Sequence, residues 1–232
     1  MSVFQTPPLF KARMSAVFTL QPRNRSGGVS LDNSEQIIGG PHARWSARLT
    51  LVARSEAEKA SWRGFLAELD GRANAFWLGP WCCIPLPVAA RFSYVEDTQI
   101  PHSDGTLHAD DTGYANSPPE FTLASGIGPF ASLITVNQLG WPAGWRVGDY
   151  FMLDGRLRIV TGVMNTSAGS STLRFRPPVA RTLPAGSRVI LGGQAAMKLT
   201  DELGGALSND LGRSATVGLD LLESVQPLGR LL

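Results

Sequence analysis

The cleanest alternation in the chain runs from Trp45 to Ala53. Trp45, Ala47, Leu49 and Leu51 fall on one side and Ser46, Arg48 and Thr50 on the other, a period of two that predicts a strand with one covered face. Ser15 to Gln21 alternates in the same way and predicts another strand. Asn24 to Gly28 reads as a turn punctuated by Gly27-Gly28, and Val29 to Ile38 as a further extended segment that ends at Gly39-Gly40-Pro41. The period changes after Ala53. Ser55 has the chemistry of a helix N-cap, and Glu56 and Glu58 place negative charge in the first turn, where the helix dipole favours it. Trp62, Phe65, Leu66 and Leu69 repeat at helical spacing, and Gly71 stands where a helix stops, so a helix over 56–70 is predicted to pack against a sheet. Ala73 to Leu78 returns to extended patterning and breaks at Gly79-Pro80.

From Cys82 to about Asn116 the pattern is irregular, with Arg91 to Val95 as a short strand. Short apolar runs then recur from Pro118 to Gly192: Leu133 to Val136, Trp145 to Leu153, Arg156 to Val163, Thr172 to Arg176 and Val189 to Leu191. Asp154-Gly155 is a two-residue hairpin signal, Pro177-Pro178 ends a strand, and Thr182 to Gly186 forms a turn. Such spacing predicts a small barrel. Ala196 to Leu199 and Ala215 to Leu222 complete the set, separated by a glycine-rich polar stretch. The order implies a mainly β protein: one sheet system with a packed helix, formed by 1–90 and 193–232, carrying an inserted small β-barrel domain over 91–192.

Composition supports that picture. Of the 232 residues only 17% are charged while 43% are hydrophobic, and Gly (25) and Pro (16) are plentiful. Many turn-formers and little charge suit short strands and surfaces that neighbours cover. A net charge of +2 without a basic cluster argues against a nucleic-acid binder. Met1 to Phe10 lacks the basic start and apolar run of a signal peptide, and no apolar stretch reaches the ~18 residues of a membrane span, so assembly in a host cytoplasm is expected. The two cysteines, Cys82 and Cys83, are adjacent. Their Cα atoms, ~3.8 Å apart, do not suit an unstrained mutual disulfide, which leaves two reduced thiols or an intersubunit bridge.

Catalytic signatures are missing from the sequence: there is no nucleophile elbow, phosphate-binding loop or dinucleotide fingerprint. His102, Asp104, His108, Asp110 and Asp111 have metal-ligand chemistry but neither zinc-protease nor EF-hand spacing, and read as a solvated loop, with a cation or partner contact as the alternative. Glu96-Asp97 and Asp110-Asp111 are neighbouring acids, which a strand points to opposite faces, and His42 sits beside Pro41 with no nucleophile in view. No catalytic residue, cofactor or metal is expected. Trp77, Trp81, Trp141 and Trp145 either line a sugar-binding surface or anchor core and interfaces, with Trp141 and Trp145 as the candidate exposed patch.

Several of these pieces occur together in one family. Ala43-Arg44-Trp45 with its strand, the Trp62/Phe65/Leu66 helix, and Gly71-Arg72-Ala73-Asn74-Ala75-Phe76 resemble a W-x-A-x-L-x-L strand followed by a helix ending in L-x-G-R-x-x-x-F. Gly148-Asp149-Tyr150-Phe151, Leu157-Arg158-Ile159-Val160 and Pro177-Pro178-Val179-Ala180-Arg181 follow in matching order. Across roughly Gln21 to Leu191 the chain is similar to the distal tail proteins of tailed phages, prophages and gene-transfer agents. The resemblance implies a non-enzymatic virion protein with a tail-tube-like fold, a β-sandwich or split barrel with one packed α-helix. Its partners would be further copies of itself in a ring, expected to be a hexamer, together with the tail tube protein and the hub or tip proteins, and DNA would cross the lumen without specific binding. The leucine-rich close, Ser224 to Leu232, departs from relatives that end in an aromatic-rich strand.

Under that reading the ring contacts expected are Pro7, Pro8 and Phe10 of an extended N-terminal arm, Arg23 and Arg25 near the following turn, and Trp45, Leu49 and Leu51 of the long strand. A disordered N-terminus is the competing view of the arm. Two other functions stay open, a carbohydrate-binding module of a tail tip and another hub or tube-terminating protein. A cell-wall hydrolase has no residue constellation in its favour.

Overall fold

The computed structural model describes residues 3–4, 14–29, 31–38, 40, 42–80, 120–139, 144–164, 169–207 and 214–225. Their strands are β1 (Val3–Phe4), β2 (Met14–Gln21), β3 (Arg25–Val29), β4 (Glu35–Ile38), β5 (Arg44–Ala53), β6 (Ala75–Leu78), β7 (Glu120–Leu123), β8 (Leu133–Leu139), β9 (Tyr150–Leu153), β10 (Arg156–Met164), β11 (Ser170–Arg176), β12 (Arg188–Leu191), β13 (Ala195–Leu199) and β14 (Ala215–Glu223). One helix, α1 (Glu56–Leu69), stands between β5 and β6. The protein is mainly β.

Six strands form an open sheet in the order β1-β6-β13-β14-β5-β2, antiparallel except for β1 beside β6. Alternation dictates its two faces. On β5, Trp45, Ala47, Leu49, Leu51 and Ala53 are buried, and on β14 Val217, Leu219 and Leu221 join them. The opposite face of the same strands is small and polar, with Ser46, Thr50 and Thr216, and Arg48 bound to Asp220 of the adjacent strand at 2.9 Å.

Helix α1 covers part of the apolar face. Ser55 accepts from the Glu58 backbone N–H at 3.1 Å while the Glu58 carboxylate accepts from the Ser55 N–H at 3.2 Å, a reciprocal cap that satisfies donors the helix leaves open. Trp62, Phe65 and Leu69 point into the core, and the Trp62 indole donates to the Gly205 carbonyl at 3.0 Å. The helix ends at Asp70, which takes the left-handed conformation with φ 49°, and Gly71 follows with φ 59°. Ser55→Ala should cost about 1 kcal/mol, seen as a lower denaturant midpoint with an unchanged slope.

Strands β7 to β12 close into a six-stranded barrel in the order β10-β11-β8-β7-β12-β9. In the sequence they fall between β6 and β13, which are hydrogen-bonded neighbours in the open sheet. Side chains fill the barrel: Phe121, Trp145, Phe151 and Phe175 form a chain of edge-on rings with centroids 5.1, 5.9 and 5.6 Å apart. The turn at Asp154-Gly155 has positive φ at both residues, 59° and 68°, as a two-residue hairpin between right-twisted strands requires. Arg158, 1% exposed, reaches back to donate to the carbonyls of Leu153 and Arg156 at the base of that turn. Burial lowers its pKa to about 10.

Two details depart from the sequence reading. Gly27-Gly28 is not a turn but part of β3, where the register with β4 shifts between Ser26 and Val29 and Gly28 takes φ 93°. The chain reverses instead at 31–34, with Asn33 at φ 64°. Paired glycines tolerate a bulge as readily as a turn, so the signal was ambiguous. Strand β7, which pairs β8 and β12, was not singled out from the sequence.

Candidate assembly surface

The two-stranded ribbon β3–β4 is the least self-sufficient part of the structure. Every residue in both strands is exposed. Pairing Arg25 with Ile38 and Ser26 with Ile37 directs the two isoleucines to opposite faces, and no described residue covers either face: Ile37 and Ile38 are 59% and 60% exposed. Val29 is exposed as well, and Leu31 at the tip is fully so. What holds the ribbon is local and polar, including a hydrogen bond from Ser26 Oγ to Glu35 at 2.6 Å and one from Ser34 Oγ to Asp32 at 2.8 Å. At its root Gly40 passes so close to Arg23 that a Cβ there would meet the Arg23 carbonyl oxygen at 2.0 Å. A lone two-stranded ribbon is marginal in water, and this one carries exposed aliphatics on both faces.

A second open feature lies beside it. Among the described strands β2 has no neighbour on its outer side, and it presents Val17 (61% exposed) outward while Ala16, Phe18 and Leu20 pack inward. An unpaired edge eight residues long is a template for another strand.

On the far side of the sheet, a crevice of about 340 Å3 is lined by Trp77, Met152, Ile190, Gly193 and Gln194. Phe76 and Leu78 are buried, so the intervening Trp77 is turned to the outer face of β6, while Met152 and Ile190 project from the barrel. Among the described residues no charged side chain lines it.

The sheet and the barrel meet at a buried junction. Trp45 is 2% exposed, lies 6.3 Å from Phe18 and 5.8 Å from Tyr150 between ring centroids, and donates from its indole to the Leu157 carbonyl at 2.8 Å. Glu223, at the end of β14, accepts from the Trp45 backbone N–H at 3.0 Å and from the Arg156 guanidinium at 2.8 and 3.0 Å. Arg156 also donates to the Ala43 carbonyl at 2.6 Å. Leu157 and Ile159 of β10 complete the apolar cover of the sheet, and burial raises the Tyr150 phenol above its ordinary pKa.

Against this geometry the expected contact residues divide. Arg23 and Arg25 are exposed, at the root and first strand of the ribbon. Trp45, Leu49 and Leu51 are corrected: all three side chains lie in the core, because the helix and barrel cover the face they share, and none is available to a neighbour. Trp145 is corrected too, since it is buried in the barrel between Phe121 and Phe151 rather than on a surface patch. Pro7, Pro8, Phe10, Trp81 and Trp141 lie outside the described residues, as do Cys82, Cys83, Glu96, Asp97, His102, Asp104, His108, Asp110 and Asp111. His42 is exposed, with its ring 6.0 Å from that of Phe130. Among the described residues no helix is long and apolar enough to cross a membrane. Leu31, Met152, Ile190 and Gln194 carry no signal of their role in the sequence, and only the in-out-in pattern of Phe76, Trp77 and Leu78 points to the crevice.

No protein-family model matches the chain, and a search of curated proteins finds no match to its sequence.

Proposed function

We propose that the protein is a structural, non-catalytic subunit of a phage-type tail, one that assembles into a ring at the distal end of the tail tube and joins it to the tip. The observation that carries the proposal is the β3–β4 ribbon, an element with exposed aliphatics on both faces that no described residue covers. The unpaired edge of β2 adds a second surface of the same kind. The order of motifs from Trp45 to Arg181 supports a place among distal tail proteins, with the open sheet and its helix as the tail-tube-like part and the barrel as an inserted domain. In such a ring the polar outer face of the sheet suits a wall along which DNA slides, because Arg48 at its centre is neutralised by Asp220. The Arg48 hydrogen bond holds the Asp220 carboxyl below the usual carboxylate range, which extends the charged state of the pair further into acid.

Light scattering on the purified chain, with negative-stain images of the same sample, tests the proposal. Closed rings, expected to hold about six subunits, support it. A monomer at all concentrations, both alone and with a tail tube protein present, would sink it.

A further inference from the structure

The charges of the barrel are unevenly shared. From Glu120 to Gly192 the sequence holds seven arginines and no lysine against three acids, Glu120, Asp149 and Asp154. Arg156 is taken by Glu223, Arg181 by Asp154, and Arg158 is buried at the hairpin. That leaves Arg146, Arg174, Arg176 and Arg188 exposed, and no ion pair joins any of them to a described acid. Asp149 is itself buried.

Two of these arginines share one face. On β8 and β11, Ile134, Val136, Leu173 and Phe175 fill the barrel, so the residues that alternate with them point outward. The outward row pairs Asn137 with Ser170, Thr135 with Thr172 and Leu133 with Arg174, and it ends at Arg176. The Thr135 and Thr172 hydroxyls are hydrogen-bonded at 3.1 Å. On its other side Arg174 pairs Gly162, which has no side chain to crowd or screen it. Leu133 is 47% exposed. Glu120 is remote from this row: it pairs Leu139, six residues along β8 from Leu133, or about 20 Å.

Arg174 and Arg176, two residues apart on one strand, stand about 7 Å from each other. Carboxylates on alternate residues of an extended chain repeat at the same spacing, and a guanidinium grips a carboxylate through two parallel hydrogen bonds. Leu133 beside Arg174 offers an aliphatic contact that a peptide side chain fills and a phosphate backbone does not. Two cations also fall short of the roughly 6–10 phosphate contacts that hold a protein on nucleic acid. We propose that the β8–β11 face of the barrel docks an extended acidic segment of a partner protein, with Arg174 and Arg176 each binding a carboxylate from one of two alternate residues. The ribbon and the β2 edge take no part, so this contact is separate from the ring reading.

Fluorescence anisotropy on the full chain tests it, with a short peptide that alternates glutamate and threonine and a second of the same composition whose glutamates come in adjacent pairs. The alternating peptide is expected to bind more tightly, and added salt to weaken it. Arg174→Ser and Arg176→Ser are each expected to weaken it about fivefold, the upper end for an exposed ion pair, and circular dichroism checks that these surface changes leave the fold intact. Arg188→Ser removes the same charge from β12, which β7 separates from β8, and should leave the affinity within about twofold. Exchanging Arg174 and Arg176 together for glutamate should transfer binding to a peptide that alternates lysine and threonine. Affinity unchanged in Arg174→Ser and Arg176→Ser would overturn the docking face. Equal losses in all three serine variants would reduce the effect to net charge and overturn it as well. Equal affinity for the two glutamate peptides would overturn the match of spacing. Tighter binding of oligothymidylate or polygalacturonate, lost in Arg174→Ser and Arg176→Ser, would give the face to a nucleic acid or an acidic polysaccharide instead.

Discussion

Replacing Trp45 by alanine is expected to destabilise the protein by about 3–5 kcal/mol, the range for deleting a large buried aromatic whose surroundings only partly collapse. The residue is 2% exposed and joins two bodies of structure: Phe18 on the sheet and Tyr150 on the barrel flank its ring, and its indole N–H donates to Leu157. The loss should therefore be one of coupling as well as of burial. Urea unfolding followed by near-ultraviolet circular dichroism and by hydrogen exchange should show one transition in the native chain and two in Trp45→Ala, as barrel and sheet part company. Trp45→Phe keeps most of the packing but not the donor, and about 1–2 kcal/mol is expected for the orphaned carbonyl. A single unshifted transition in Trp45→Ala would remove the junction from any account of stability.

Glu223→Ala is expected to have an effect of the same size through different physics. Glu223 is 3% exposed and answers three donors on Trp45 and Arg156. Deleting the carboxylate leaves the Arg156 guanidinium largely out of water without its counter-ion, for which about 3–5 kcal/mol is typical. Removing both partners, as Arg156→Met with Glu223→Leu, should restore much of that loss, because an apolar pair in the same space needs no compensation. The double-mutant cycle read from denaturant midpoints checks it. Independent, additive losses would mean that the two groups do not act as a pair.

How much of this was visible in the sequence follows from what each signal depends on. Strand β5, helix α1 and the Asp154-Gly155 hairpin were legible because periodicity, a capping serine and a turn dipeptide are local causes with local effects. The alternation in β5 correctly put Trp45, Leu49 and Leu51 on one side. It could not say all that covers that side, since beyond helix α1 the cover includes Leu157 and Ile159, more than a hundred residues along the chain. Trp145 failed for a related reason. It precedes β9 in a loop, where no period gives a direction, and the barrel's closure turns it inward. The crevice was hidden more deeply, because Trp77, Met152 and Ile190 come from three strands that only the tertiary fold brings together.

The pairing of Leu78 with Ala195 has a consequence for how such a chain can change. The two ends of the barrel segment leave and re-enter the sheet on adjacent antiparallel strands, like the two sides of an ordinary hairpin. A short turn could bridge them, and so could any other unit whose own ends lie close together. The attachment point is thus a socket, and the sheet keeps its strand order whatever is plugged into it. What a replacement would have to reproduce is small and specific: an aliphatic cover and a carbonyl for Trp45, and a cation for Glu223. Those requirements separate grafts that the sheet would accept from grafts that would leave its apolar face bare.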